Sequence, residues 1–207
     1  MAMRRTEARG GTDSADRSTR RLGALTMAAG GAFILGALGS IALDAAWVLV
    51  LVGFALLAYV VPRLHALQAP ADRWEGTLGA WLVVAGTALL VALGIVFLVW
   101  EAIGDPGEPA WAGVLWMVGF AAFAVGIVLF AIGSELSKRF NPAAPALMLG
   151  GLVGALAIDM ATGAFFEADP VTTEWGFYIG VPLFGLGLAW MGYQLWETRR
   201  VHGIAHA

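Results

Sequence analysis

Six stretches of this chain stay apolar long enough to cross a bilayer, and the polar residues gather between them. A spanning helix needs about 20 mostly apolar residues at roughly 1.5 Å rise each. The stretches are 22–43, 45–61, 77–100, 110–134, 143–166 and 175–196. Each is apolar around most of its circumference, and none alternates with the period of two that marks a strand. Turn chemistry marks the breaks at Gly104-Asp105-Pro106-Gly107, Asn141-Pro142 and Asp169-Pro170. The first break rests on Asp44 alone, and Ser40–Ala46 is read as a tight hairpin. The pattern predicts an all-α integral membrane protein, a six-transmembrane-helix bundle built from three helical hairpins over 22–61, 77–134 and 143–196. A disordered basic tail is expected over 1–21 and a short tail over 197–207.

Composition says what surrounds these helices. Hydrophobic residues make up 59% of the 207 and charged residues 13%. A soluble domain carries about 25% charged residues to face water. Half of that is enough only where most of the surface faces lipid, so the bilayer is the first partner. The chain has no cysteine, which excludes disulfides, thiolate nucleophiles and cysteine metal sites. Lys138 is the single lysine among 12 basic residues, and this arginine bias, with abundant Ala and Gly, fits a GC-rich prokaryotic genome.

Charge adds direction. Six arginines precede the first span, Arg63 and Arg73 lie between spans two and three, Lys138 and Arg139 between four and five, and Arg199 and Arg200 after six. The alternate loops hold only acids: Asp44; Glu101, Asp105 and Glu108; Glu167, Asp169 and Glu174. By the positive-inside rule both termini are expected in the cytoplasm and the protein in the plasma (inner) membrane, multi-pass. Tryptophans agree, with Trp47, Trp100, Trp111 and Trp175 at outer span ends and Trp74 and Trp196 at inner ends, as interfacial anchors. Thr19-Arg20-Arg21-Leu22 resembles a twin-arginine signal, but five more spans follow it, and the pair is read as an anchor. The basic stretch also contains Glu7, Asp13 and Asp16, and nucleic-acid binding is not expected.

Small residues recur every seven positions: Gly23, Gly30 and Ala37; Gly79 and Gly86; Ala112, Gly119, Gly126 and Gly133; Gly185 and Gly192. That spacing keeps a seam on one neighbouring helix through a left-handed crossing. Gly150-xxx-Gly154 and Gly176-xxx-Gly180 offer further close contacts. A spare seam would suit a second copy or another membrane subunit. Residues 52–58 also resemble residues 118–124, a short match between spans two and four.

Few residues in the spans carry chemistry. Asp159 is the clear intramembrane acid, expected about 10 Å below the outer end of span five, with Thr162 one turn on. Pro182 lies the same number of residues into span six and frees the carbonyl of Tyr178. An antiparallel hairpin would bring them to one depth, where a neutral Asp159 donates to that carbonyl or accepts from the Tyr178 hydroxyl. Three readings stand: a structural pair of acid and kink, a cation or proton site near the outer face, or a subunit contact. His65, His202 and His206 fall outside the expected spans, so no intramembrane haem ligand is foreseen. No intramembrane protease constellation or phosphate-binding loop occurs, and neither a cofactor nor an enzyme activity is expected. In size and three-hairpin plan the chain resembles the small six-helix acid-stress membrane families such as HdeD, which implies a stress-related role. The expectation is a non-catalytic structural, stress-related or accessory module; the alternative is a small cation or proton transporter or channel using Asp159 near the Pro182 kink.

Overall fold

The computed structural model describes residues 3–68, 74–104, 110–161 and 175–204. They form α1 (Met3–Gly39), a single 3-10 turn (Asp44–Trp47), α2 (Val48–Gln68), α3 (Trp74–Ala102), α4 (Ala110–Ser137), α5 (Ala143–Ala161) and α6 (Trp175–Ile204). No strand occurs among the described residues. Each helix contains a segment long and apolar enough to cross a membrane, with bounds Arg17–Gly39, Ala45–Gln68, Trp74–Ala102, Trp111–Ser137, Ala143–Ala161 and Trp175–Glu197. The chain is therefore an all-helical bundle of six span-length helices, the build of a multi-pass membrane protein.

Three boundaries differ most from expectation: the start of α1, the end of α2, and the end of α6, which runs on to Ile204 where a tail is expected from 197. α1 begins at Met3 instead of following an irregular tail. Extending an existing helix adds one hydrogen bond per residue without a new nucleus, and Arg4, Arg5, Glu7, Ala8 and Arg9 are good or tolerable helix formers. α2 continues past the expected end at Val61 to Gln68. The end of span five expected at Phe166, and Thr162 with it, lies outside the described residues.

The turns follow from their residues. After Gly39 the N–H groups of Ala42 and Leu43 return to the Gly39 carbonyl at 3.0 and 2.9 Å, and the Ser40 hydroxyl donates to Ala37 O at 2.8 Å. Past α4, Lys138 takes φ 51°, the left-handed residue that closes many helices. The Asn141 side chain then accepts from Ala143 N at 3.0 Å and starts α5.

The helices pack as a ring in chain order, with α6 returning to α1. Three antiparallel contacts are tightest: α1 with α6, α3 with α4, and α5 with α6. Glycines set each. A Cβ added at Gly23 would stand 2.7 Å from the Gly192 carbonyl oxygen, and one at Gly30 would strike the Gly185 carbonyl and lie 2.7 Å from Ala189 N. Between α3 and α4 the same seven-residue pairing recurs, Gly79 on Gly126 and Gly86 on Gly119. On α5 and α6, positions 159, 155, 151 and 148 lie opposite 176, 180, 184 and 187. The glycine seam of α1 meets α6, not α2, its neighbour in sequence. Helix α2 presents no matching stripe to it; instead Gly36 receives Val50 and Gly53 receives the Phe33 ring.

Aromatic rings pack at the centre of the ring, and the cavity of about 60 Å³ left beside them is lined by apolar residues alone. Phe33, Phe54, Phe123 and Phe184 meet edge to face, with centroids 5.0 Å apart for Phe33–Phe54, 5.2 Å for Phe33–Phe184 and Phe54–Phe123, and 5.6 Å for Phe123–Phe184. Such pairs contribute about 0.5–1.5 kcal/mol each beyond area burial. The perimeter carries the lipid-facing apolar residues, among them Leu35, Trp81, Met117 and Met160, all more than 60% exposed. Trp100 and Trp111 sit 6.4 Å apart at the end of the bundle that also holds Trp47 and Trp175, while Trp74 and Trp196 sit at the other.

Gly30 and its neighbour Gly31 separate seam contact from helix propensity. Gly30→Ala must push apart the α1 and α6 backbones, and a loss of about 1–3 kcal/mol is expected. Gly31 has nothing within 4 Å of an added Cβ. Gly31→Ala should leave thermal stability in detergent unchanged or slightly raised. Equal effects at both positions would contradict the seam.

Candidate functional site

Asp159 lies on α5 two residues from Ala161, and its Oδ1 accepts a hydrogen bond from Gly176 N at 3.1 Å. Gly176 is the second residue of α6, so its N–H is one of the four that a helix start leaves without an intrahelical partner. A carboxylate there also faces the positive end of the helix dipole. The approach is close because position 176 has no side chain: a Cβ would collide with both the Asp159 carboxylate and the Ala155 carbonyl. Asp159 thus caps a neighbouring helix.

This placement corrects the expected pairing with the Pro182 kink. Small residues at 151, 155, 176 and 180 fix the register of α5 on α6 and put Asp159 opposite Gly176. Pro182 lies six residues farther along α6, about 9 Å by helical rise. The Tyr178 ring packs on Phe177, with centroids 5.6 Å apart. The structure brings Asp159 to Gly176 and keeps it away from the level of Pro182; Thr162 lies outside the described residues.

Of the glycines singled out by spacing, Gly30, Gly86, Gly119, Gly126, Gly176 and Gly180 stand in helix contacts, and Gly133 is buried. Gly150 and Gly154 do not: nothing lies within 4 Å of a Cβ on either, and they turn away from α6.

Polar groups inside the bundle are bonded locally or tie helices near the Trp74 end. Thr26 Oγ1 donates to Leu22 O at 2.8 Å and Thr87 Oγ1 to Val83 O at 2.6 Å. Such back-bonding satisfies a hydroxyl within its own helix. Gln68 Nε2 donates to Ser134 Oγ at 2.8 Å, and Ser134 Oγ donates on to Phe130 O at 2.9 Å, joining α2 to α4. His65 Nε2 and Thr77 Oγ1 pair at 3.3 Å between α2 and α3. Sequence reasoning missed this cluster because it ended span two at Val61. The apolar positions Leu57, Val61 and Leu64, continuing at helical spacing to Gln68, were the signal. With α2 extended, Arg63 and His65 belong to a span-length helix, contrary to the expectation that no basic residue would. Among the described residues, no group of three His, Asp or Glu side chains could hold a metal ion.

Fold and site together define a six-helix bundle in which a half-buried acid near the end of α5 caps the start of α6. No known protein family, curated protein or solved structure matches the chain. The likeness to acid-stress proteins therefore stands on plan alone.

The cap separates the two conservative changes at Asp159. Asparagine keeps an acceptor oxygen for Gly176 N–H, whereas alanine removes it, so Asp159→Ala should lower stability by about 1 kcal/mol and Asp159→Asn by much less. Thermal melting of both variants in one detergent checks this. A larger loss in Asp159→Asn than in Asp159→Ala would contradict a capping role.

Proposed function

We propose that this protein is a non-catalytic membrane module, structural, stress-related or accessory in role, that works through helix packing in a prokaryotic plasma membrane. The observation that carries the proposal is the apolar axis, where even the small cavity of about 60 Å³ beside the rings has no polar side chain in its wall. Four phenylalanines from α1, α2, α4 and α6 close the centre of the ring. The buried Thr26 and Thr87 hydroxyls are spent on their own helices, leaving no polar file through the middle. Asp159, the residue on which a cation or proton pathway would depend, is engaged at the start of α6. A transporter needs polar groups or a water-filled path at mid-depth, and the residues at that level favour the packing role. The exposed small-residue face at Gly150 and Gly154 is compatible with assembly with a copy or another membrane subunit.

Orientation belongs to the same proposal. All 12 basic residues fall at the ends or loops that share a side with the termini, which supports cytoplasmic N- and C-termini.

Purified protein in liposomes should add no cation or proton flux to that of empty vesicles, under an imposed gradient of either sign. Flux that depends on the protein and disappears in Asp159→Asn would favour the transporter reading. For orientation, a reporter active only in the periplasm should work when fused after residue 106 and stay silent after residue 140. The reverse pattern would overturn the threading.

A further inference from the structure

A second feature lies outside the axis. Between α1 and α2, at the end of the bundle that carries Trp74 and Trp196, the two helices part around a cavity of about 630 Å³. Its walls include Arg17, Ser18, Arg21, Tyr59 and Arg63, together with Leu22, Leu25 and Leu67. The opening follows from the packing. Gly36 and Gly53 draw α1 and α2 together at the opposite end, while large side chains at Leu22, Leu25, Tyr59 and Arg63 hold them apart here.

The polar and apolar parts of this cavity are ordered by depth. Arg17, Ser18 and Leu67 lie nearest the end of the bundle, Arg21, Leu22 and Arg63 one turn in, and Leu25 and Tyr59 deepest, by their places along α1 and α2. Arg63 is posed toward the inner part: its guanidinium carbon stands 3.5 Å from the centroid of the Tyr59 ring, and Nη1 donates to Tyr59 O at 2.6 Å. A guanidinium carries five N–H donors, so this bond leaves others directed outward from the stack. No carboxylate lines the cavity among the described residues. The like charges of Arg21 and Arg63 on one cavity repel one another, and an anion between them relieves that repulsion.

We propose that this cavity is a binding site for the phosphate headgroup of an anionic phospholipid. Arg21 and Arg63 grip the phosphate, Arg17 and Ser18 face the rest of the headgroup, and an acyl chain descends along Leu22, Leu25 and the Tyr59 ring. Guanidinium pairs bind phosphate oxygens through parallel hydrogen bonds, a geometry that an ammonium group cannot reproduce. The volume suits a headgroup, since small-ligand sites span about 300–1,000 Å³. The apolar walls favour a lipid over a free phosphate, and basic pockets between helices on the cytoplasmic side of a membrane are a known way of holding anionic headgroups. The site rests on the membrane-embedded reading and the proposed orientation, but not on the proposed packing role.

The test is lipid retention by purified full-length protein, read by native mass spectrometry and by melting temperature in detergent with added phosphatidylglycerol, phosphatidylcholine or inorganic phosphate. Phosphatidylglycerol should be retained over phosphatidylcholine and should raise the melting temperature. Each guanidinium removed should weaken that retention about 5-fold, so Arg21→Gln with Arg63→Gln should nearly abolish it. Lys138→Gln with Arg139→Gln removes the same charge from the same end of the bundle and should leave retention unchanged. Where the double arginine variant does not fold, Arg21→Gln alone carries the comparison, and Arg63→Lys should retain less lipid than the parent despite its intact charge. Equal losses in the two double variants would overturn the site in favour of diffuse charge. Stabilisation by inorganic phosphate equal to that by the lipid would overturn the lipid assignment. Protein-dependent flux with normal lipid selectivity would sink the packing role and leave this site standing, whereas absent flux with no lipid selectivity would do the reverse.

Discussion

Close approach of helix backbones across glycine is the constraint on which this bundle depends. Lipid tails are as apolar as leucine, so apolar burial drives little association between helices that already sit in a bilayer. What remains is contact at short range, and that requires positions without side chains. α6 shows the consequence most plainly. Gly185 and Gly192 on one face meet Gly30 and Gly23 of α1, while Gly180 and Gly187 on another meet α5. α6 therefore holds both ends of the chain's ring together, and α3 with α4 repeats the arrangement on the far side.

Once the seams are closed, the rest of the interior has little freedom. Phenylalanines directed inward from four helices must interlock, and they do so edge to face. Polar groups are either folded back onto their own helix, as Thr26 and Thr87 are, or placed toward the ends. There Asp159 caps α6, Gln68 and Ser134 join α2 to α4, and three arginines line the cavity beside Tyr59. The chemistry of the protein is thus moved from the axis to its ends, where headgroups and water replace hydrocarbon.

The existence and number of the helices were legible because length and hydropathy of a span are properties of one segment. Relations between segments were not. A seven-residue glycine spacing marks a stripe on one helix and is silent about its partner, so Gly23 and Gly30 pointed to a seam without pointing to α6. A four-residue spacing likewise cannot tell inward from outward: Gly176 and Gly180 are in contact, while Gly150 and Gly154 face away. Asp159 stood out as an acid inside an apolar run, and its level on α6 was inferred by counting equal distances from an assumed loop centre. Register is set instead by which small residues interlock, and that moved the acid to Gly176. Gln68 was hidden by its place two residues before Pro70, where polar character reads as loop even though the apolar spacing continues to it.

The central claim is that the seams close the ring around an apolar axis that excludes water. Because the chain has no cysteine, a single Phe123→Cys or Phe184→Cys substitution provides the sole thiol, and its reaction with a water-soluble, membrane-impermeant reagent measures whether water reaches the axis. Gly104→Cys, in the exposed turn after α3, serves as the accessible reference. The account predicts that the cysteines at 123 and 184 stay unreacted from both sides of the membrane and react only after unfolding in dodecyl sulfate. Labelling of either in the folded protein at a rate close to that at position 104 would contradict it.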